Sequence, residues 1–364
     1  MIPLFKVHMP QDVMGPLQET LFSGFIGEGP RVKDFEAQLA KYFDNPRVLT
    51  VNSCTSAIQL ALRLANVNWG DEVISTAMTC TATNEPIMAA GAKIVWADID
   101  PLTGNIDPAS IEEKITPRTK AIIVVHWGGY PIDLDEVLAL GARHGVKVIE
   151  DAAHACGAEY KGRRIAQHAD FVCFSFQAIK HITTVDGGAL FCAHESDYRR
   201  GKLLRWYGID REQPRADFRC EADIAEWGYK FHMNDVAATI GSVQLRHLDG
   251  ILEQRREQAD YYSRELAAVP GVRLCDWKPD RLSAYWLYTI LVDKREAFMA
   301  WMKECNVSVS QVHARNDKHT MFKEFQAPLP GVTQFTRDMV CIPIGYWIGK
   351  EDREHIVASI KKGW

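Results

Sequence analysis

Short apolar runs alternate with amphipathic segments between about residue 48 and residue 195. The runs are rich in β-branched residues and too short for helices, which predicts strands; in chain order they read RVLTVNS, DEVIST, AKIVWADID, KAIIVVHW and VKVIEDAA. The segments between them, of which TSAIQLALRLANV is an example, have the apolar spacing of helices. Alternation of this kind is typical of an α/β fold in which helices cover both faces of a mostly parallel sheet.

The pattern changes after about residue 235. The stretch from NDVAATIGS to SRELAAV predicts one long helix or two joined helices, which stop at Pro270 and Gly271. Beyond it we predict a strand, a helix, a strand and a last helix, which read AYWLYTILV, KREAFMAWMKEC, NVSVSQVH and KEDREHIVASIKK. We therefore predict a large domain over residues 1–245 and a smaller C-terminal α+β domain over residues 246–364.

Local signals predict where several helices begin and end. Asp107 followed by proline is a typical helix start. Asp133 and Glu136 have the spacing of a capping box, and Gly145 is a suitable helix end. Before the long helical stretch, the side chain of Asn234 or of the next residue is available as a cap.

Composition narrows the class of protein. The chain has 364 residues, of which 47% are hydrophobic and 24% charged, and its net charge of −5 does not favour nucleic acid or an anionic membrane as a partner. Its apolar runs fall short of the roughly 18 residues that a membrane-spanning helix needs. The start, MIPLFKVHMPQDV, lacks the pattern of a signal peptide. We expect a cytoplasmic protein.

The nine cysteines are odd in number, scattered, and without CxxC spacing. This arrangement argues against a disulfide framework and against a zinc site. Reduced thiols in a cytoplasm fit better, and we expect no bound metal.

The stretch NSCTSA, residues 52–57, lies between a predicted strand and a predicted helix. A helix N-terminus offers free N–H groups and a favourable dipole, which suits a phosphate. The alternative is that Ser53 or Thr55 simply caps the helix.

Two further residues are candidates for chemistry. Asp151 ends an apolar strand, where a carboxylate is costly unless it is paired. It could cap a helix or hold the positively charged ring nitrogen of a pyridine cofactor. Lys180 follows an apolar run in SFQAIKHITTVDGG and could form a Schiff base if burial lowers its pKa, although a lone lysine is more often a solvated charge.

The collinear order of these stretches is more specific than any one of them. A phosphate-binding turn, an aspartate after a strand, SFQAIK and a Gly-Gly pair occur in the order seen in the DegT/DnrJ/StrS family of sugar aminotransferases, which this chain resembles. The resemblance runs from GEGPRVKDFEAQLA near the N-terminus to CIPIG near the C-terminus. It implies the fold of aspartate aminotransferase, fold type I among pyridoxal phosphate enzymes.

The resemblance assigns a role to each of these residues. It implies that Lys180 forms the Schiff base with pyridoxal 5′-phosphate and later moves the proton. It implies that Asp151 pairs with the pyridine nitrogen, and that Ser175, Cys54 and Thr55 hold the phosphate.

The resemblance also implies contacts from other segments. His154 falls near the ring hydroxyl, and Cys80 stands where many relatives have an aromatic residue over the ring. In the family a residue of the partner subunit completes the phosphate site, and here Lys230 or His232 would take that role in a homodimer with shared active sites. Val185 stands in the TTVDGG turn where glycine is common in the family.

His181 bears on which reaction is expected. A small branch of the family replaces the Schiff-base lysine with histidine and carries out sugar 3-dehydration instead of amino transfer. Here Lys180 keeps the family's distance from Ser175 and the histidine lies one position further on, which favours the aminotransferase. We expect His181 to lie at the surface or behind the residues that touch the cofactor.

The substrates implied by the resemblance are an amino-acid donor, L-glutamate in relatives, and a nucleotide-linked keto sugar. A 4-keto-6-deoxy hexose is the commonest type in the family, and surface polysaccharide such as O-antigen is a reasonable destination. In the stretch from residue 310 to residue 322, His313, Arg315 and Asn316 are candidates for contacts to sugar hydroxyls or a diphosphate. The alternative is a solvated loop.

Two other classes of protein compete with an aminotransferase. A non-catalytic regulatory relative is disfavoured because Lys180 and Asp151 are both present. A nicotinamide-binding protein is disfavoured because no GxGxxG motif follows the first predicted strand.

Overall fold

A computed structural model describes residues 1–214, 217 and 223–364. The helices are α1 (Met14–Phe22), α2 (Pro30–Phe43), α3 (Cys54–Leu64), α4 (Thr81–Ala89), α5 (Pro108–Lys114), α6 (Leu134–His144), α7 (Glu195–Leu204), α8 (Asp235–Leu245), α9 (Leu248–Leu266), α10 (Arg295–Glu304), α11 (Pro330–Asp338) and α12 (Lys350–Lys361). Short 3-10 helices cover Gln11–Val13, Trp127–Gly129, Asn316–Lys318 and Thr320–Phe325.

The strands are β1 (Val48–Val51), β2 (Glu72–Thr76), β3 (Lys93–Ala97), β4 (Thr119–Val125), β5 (Lys147–Asp151), β6 (Glu159–Tyr160), β7 (Arg163–Arg164), β8 (Phe171–Ser175), β9 (Gly188–Cys192), β10 (Val272–Leu274), β11 (Arg281–Leu282), β12 (Tyr288–Val292) and β13 (Met339–Ile342).

A seven-stranded sheet in the order β1-β9-β8-β5-β4-β2-β3 forms the centre of the molecule. Strands β8, β5, β4, β2 and β3 run parallel, and β9 runs antiparallel to both of its neighbours. The middle strands are almost wholly buried because helices cover both faces, as their continuous apolar runs predict. The predicted mostly parallel α/β fold is confirmed.

A second layer is built around the three-stranded antiparallel sheet β10-β12-β13. Helices α9, α10 and α12 bury residues such as Tyr262, Phe298 and Ile356 in the same apolar cluster as this sheet. The first residues of the chain also reach it, because Ile2 forms a bridge with Val307. The division of the chain at residue 245 stays a prediction.

Several predicted helix ends are confirmed. The carboxylate of Asp107 accepts a hydrogen bond from the N–H of Ala109 at the start of α5. The side chain of Asn234 caps α8 in the same way, and Gly145 ends α6 with a positive φ of 64°. The long helical stretch is two joined helices, which are interrupted at residues 246–247.

Other local predictions are wrong. The stretch NVSVSQVH forms isolated bridges at Val307 and Ser310 rather than a strand, and positive φ angles of 59° at Asn306 and 64° at Val312 limit the extended backbone on both sides. The strand predicted in AYWLYTILV is present, but its bounds are wrong: it begins only at Tyr288, after a positive φ at Tyr285. Asp133 makes no capping box, because its carboxylate pairs with Lys278 and Arg281 instead.

The cysteines in the described part of the chain are free thiols, and Cys220 lies outside it. Among the same residues, no set of three histidine, cysteine or acidic side chains is placed to hold a metal ion. None of the described helices has the length and apolar character required to cross a membrane.

The start of α2 depends on one buried carboxylate from α8. Asp235 is 0% exposed and accepts hydrogen bonds from the backbone N–H groups of Gly29, Arg31 and Val32, at 2.8, 3.2 and 3.1 Å. These donors belong to the first turn of a helix, where no carbonyl of the helix itself is available to them. A single side chain therefore joins α2 to α8.

We expect Asp235→Ala to lower the free energy of unfolding by about 2–4 kcal/mol, because buried N–H groups lose their acceptor. Urea denaturation followed by circular dichroism measures the change. Asp34→Ala, on the exposed side of α2, is the matched control and should stay within about 0.5 kcal/mol of the parent. Equal losses in the two variants would contradict this role of Asp235.

Candidate active site

The candidate site lies at one edge of the central sheet, where parallel strands end. β5 ends at Asp151 and β8 ends at Ser175, while α3 begins at Cys54 just after β1. Since the carboxyl ends of neighbouring parallel strands lie on the same edge, the fold brings these residues together.

Asp151 is 5% exposed, and three donors from three segments hold its carboxylate. The hydroxyl of Thr83 donates to Oδ2 at 2.6 Å, the N–H of Ala153 donates to Oδ1 at 3.1 Å, and the thiol of Cys54 lies 3.8 Å from Oδ1. Thr79 supports Thr83 through a 2.8 Å contact between hydroxyls. These donors are neutral, so the arrangement leaves a buried negative charge suited to a cationic group of a ligand.

Lys180 keeps part of its surface accessible, while its amine is enclosed in the same pocket. Burial lowers the pKa of this amine to about 8, against the opposing effects of Asp151, Cys54 and Cys80. The Nζ atom lies 3.6 Å from the centroid of the Trp286 ring. A lysine in this state supplies a free amine far more readily at neutral pH than a solvated lysine does.

Two histidines line the pocket as neutral rings. His154 stacks on Trp286 with centroids 3.9 Å apart, and His313 lies parallel to His154 at 5.8 Å. Burial, and then the nearby charge of Lys180, lower the pKa of His154 well below its usual range and that of His313 to about 4. Nδ1 of His154 and Nε2 of His313 are buried without a hydrogen-bond partner among the described residues, so each has an unused capacity for one hydrogen bond.

The start of α3 has the features of an anion-binding site. Ser53 is the helix cap and accepts a hydrogen bond from the N–H of Ser56 at 3.0 Å. Cys54 and Thr55 follow in the first turn, whose N–H groups point out of the helix end. A Cβ atom at Gly188 would lie 2.7 Å from the backbone nitrogen of Cys54, so only glycine allows β9 to pass this close.

Cys80 lies at the N-cap position of α4 and is half-buried. Its thiol is close enough to Lys180 to influence the pKa of the lysine amine. The large aromatic surface in the pocket comes instead from Trp286, which the sequence analysis placed inside a strand. Thr83 was missed as well, although the hydroxyl-rich TCTAT around Cys80 was a usable signal.

The segment with Lys230 and His232 lies beside β1 of its own chain. The N–H of Asn52 donates to the carbonyl of Phe231 at 2.7 Å, and His232 forms a bridge with Val51. The side chain of Lys230 is exposed. Burial, and then nearby arginines, lower the pKa of His232 to about 4. A contribution of either residue to a partner's site stays a prediction.

The stretch around residue 316 is not a solvated loop. The side-chain amide of Asn316 accepts a hydrogen bond from Asn84 and donates to the carbonyl of Thr79, both within 2.8 Å. Arg315 forms two hydrogen bonds with Asp317, at 2.7 and 2.8 Å. These polar groups are already paired within the chain, whereas the ring nitrogen of His313 is free. The assignment of the stretch to the sugar stays a prediction.

The turn after Lys180 contains a strained residue. Val185 has a φ of 73°, a conformation that is rare for a β-branched side chain, and it is 57% exposed. Thr183 and Thr184 hold the turn through hydrogen bonds to the backbone. The turn forms in spite of the absence of glycine at this position.

The donor set fits pyridoxal phosphate. Asp151 suits a protonated ring nitrogen, the start of α3 suits the phosphate, and the amine of Lys180 suits the carbonyl carbon. The two unpaired imidazole nitrogens offer partners for further polar groups.

Comparison with known proteins agrees with this fit. Spore coat polysaccharide biosynthesis protein SpsC of Bacillus subtilis is 33% identical over 359 residues, which cover 94% of this chain and 92% of SpsC. The sugar aminotransferase CalS13 from Micromonospora echinospora is 39% identical and superposes with a TM-score of 0.96 over the full length of both chains.

Another neighbour is Spr1654 from Streptococcus pneumoniae, which has been solved in a PLP-form and a PMP-form. Its PMP-form is 26% identical, covers 100% of this chain and 98% of that chain, and has a TM-score of 0.94. The family and these neighbours indicate pyridoxal phosphate as the cofactor. The family model matches residues 9–361, and the chain belongs to the DegT/DnrJ/EryC1/StrS aminotransferase family.

Proposed function

We propose that this chain is a pyridoxal phosphate-dependent aminotransferase that moves an amino group from L-glutamate to a nucleotide-linked keto sugar. The single observation that carries the proposal is the enclosed amine of Lys180 in one pocket with the buried carboxylate of Asp151. A sugar aminotransferase among the neighbours and a polysaccharide biosynthesis protein among the relatives support the sugar class. Within it we propose a 4-keto-6-deoxy hexose, used for surface polysaccharide.

The cofactor, when bound, supplies an electron sink for the charge left at a carbon that loses its proton. Asp151 would hold the ring nitrogen protonated, and Ser175 would bind the phosphate together with Cys54 and Thr55. The neutral ring of His154 would bind the ring hydroxyl. Lys180 would hold the cofactor and, once released from it, accept and return the proton, because its pKa of about 8 allows both protonation states near neutral pH.

The two residues of the Lys180–His181 pair differ in their surroundings, which favours amino transfer over 3-dehydration. The amine of Lys180 shares the pocket with Asp151. The ring of His181 is buried elsewhere, with Nε2 donating to the carbonyl of Ala284 at 2.8 Å. A dehydratase that uses histidine would need that ring in the place of the amine.

We further propose a cytoplasmic homodimer with shared active sites. Support comes from Phe22, Phe25 and Ile26, which are 83%, 66% and 55% exposed on the N-terminal part of the chain. Such apolar surface is typical of an interface. The side chain of Lys230 is exposed, which leaves it accessible to the phosphate site of a second copy. The free thiols of the described residues agree with a reducing compartment.

The proposed reaction predicts a defined product. With L-glutamate as donor and a panel of nucleotide-linked keto sugars as acceptors, mass spectrometry should show one amino sugar and an equal amount of 2-oxoglutarate. Lys180→Ala is the inactive control. A dehydrated sugar that carries no new amino group would favour the 3-dehydratase, and no product from any acceptor would count against the sugar class.

Lys180→Ala should abolish the visible absorption that appears when pyridoxal phosphate is added to the purified protein, because no amine remains to bind the carbonyl. Lys161→Ala removes an exposed lysine that pairs with Asp135, and this matched control should keep the band. A band of equal intensity in the Lys180 variant would show that another amine holds the cofactor.

The attachment of the cofactor should depend on pH through Lys180. Only the free amine reacts, so the rate constant for band formation should rise about tenfold per pH unit and level off above about pH 8. Stopped-flow absorbance with cofactor-free protein measures this profile. A rise that continues to about pH 10, as for an ordinary lysine, would contradict the effect of burial on this amine.

A further inference from the structure

Three contacts join the turn that carries Lys180 to the segment just before β12. The indole Nε1–H of Trp286 donates to the carbonyl of Ile179 at 2.9 Å. The ring Nε2–H of His181 donates to the carbonyl of Ala284 at 2.8 Å. Between these two hydrogen bonds, Nζ of Lys180 lies 3.6 Å from the centroid of the Trp286 ring. We call these three contacts the lysine latch.

The indole in the latch has little freedom to turn away. Trp286 is 2% exposed. Phe5 stacks on it with centroids 5.1 Å apart, and His154 stacks on it at 3.9 Å. An ammonium group is attracted to the face of an indole ring, and the attraction is strongest where water is excluded. The site therefore holds a preformed aromatic surface for the amine of Lys180.

His181 contacts the backbone of the segment that carries Trp286. It is 1% exposed, and burial, then the charge of Arg255, lower its pKa well below the usual range, so the ring is neutral. The hydrogen bond to Ala284 requires the proton on Nε2, and Nδ1 has no partner among the described residues. The ring thus fixes the chain two residues before Trp286.

We propose that Trp286 is a positioning residue, whose indole holds the ammonium of Lys180 in the pocket whenever the lysine is not attached to the cofactor, and that His181 keeps this indole in place. The inference rests on the proposed role of Lys180 as the attachment point. It explains how the released amine stays close to the reacting carbon for proton transfer instead of turning towards solvent.

Among the other described groups near the amine of Lys180, Asp151 is the one that supplies a negative charge. Asp151 attracts the ammonium, and its carboxylate is already held by three donors. The remaining groups that interact with the amine are Cys54, Cys80, His154, His181 and His313. Burial keeps the thiol of Cys54 and the three imidazoles neutral, so none of these four groups supplies a second negative charge.

The test uses cofactor-free protein and measures the protonation of Lys180 directly. Trace acetylation with acetic anhydride over a pH series, quantified on the Lys180 peptide by mass spectrometry, gives the midpoint at which the amine loses its proton. In Trp286→Leu the ammonium loses its aromatic partner, so the midpoint should move to lower pH and labelling at neutral pH should rise several-fold. Trp286→Phe should show a smaller shift in the same direction, because a benzene ring attracts a cation less than an indole does.

A matched control is Trp127→Phe. Trp127 is buried in the same pocket, edge-on to His154 and His313, and its indole donates to Thr289. Its replacement should leave the midpoint of Lys180 unchanged. An unchanged or raised midpoint in both Trp286 variants, or an equal shift in Trp127→Phe, would overturn the role of Trp286. If the leucine variant does not fold, the phenylalanine variant carries the test.

His181 is tested with the same readout. His181→Leu removes the donor and should shift the midpoint of Lys180 in the direction of the Trp286 variants. His181→Gln keeps an N–H donor and should restore the parent value. A loss of stability without a shift in His181→Leu would overturn its positioning role.

A separate experiment distinguishes a wrong positioning role for Trp286 from a wrong proposed function. Pyridoxal phosphate is added, the protein is reduced with borohydride, and the modified lysine is located by mass spectrometry. Attachment at a lysine other than Lys180 would refute the proposed function, whatever the acetylation series shows. Attachment at Lys180 together with an unchanged midpoint in both Trp286 variants would refute only the positioning role of Trp286 and leave the proposed function intact.

Discussion

A buried carboxylate at the end of a buried strand is the constraint on which the site depends. Asp151 ends β5 in the middle of the central sheet, between β4 and β8. A charge in this position is costly unless polar groups converge on it, and Thr83, Ala153 and Cys54 supply them from three different segments. The same hydrogen bonds therefore hold the starts of α3 and α4 against the end of β5, which fixes the walls of the pocket.

The amine of Lys180 balances this charge. Burial disfavours the ammonium form and Asp151 favours it, and the result is a pKa of about 8. Because His154 and His313 remain neutral, the pocket holds in Lys180 a base with a pKa near neutral pH, beside groups that can donate or accept hydrogen bonds. This combination suits a reaction that removes a proton from carbon and returns it.

The second layer of the molecule completes the site. Trp286 precedes β12 and places its indole against Lys180, while Asn316 ties the region before α11 to Asn84 in α4. The pocket is therefore lined by residues from both sides of the predicted boundary at residue 245. Asp235, which binds the start of α2, is a second example of a long-range contact made by one buried carboxylate.

The sequence by itself determined the parallel sheet, because alternating apolar runs and helical spacing leave few other ways to bury the strands. It also brought Asp151 and Ser175 to one edge, since the carboxyl ends of parallel strands coincide. Only the tertiary structure decided that Trp286 lies over Lys180, that Thr83 donates to Asp151, and that Asp133 pairs with Arg281 instead of capping α6. These contacts join residues far apart in the chain, and their geometry follows from how the second layer packs on the first, which local periodicity does not encode.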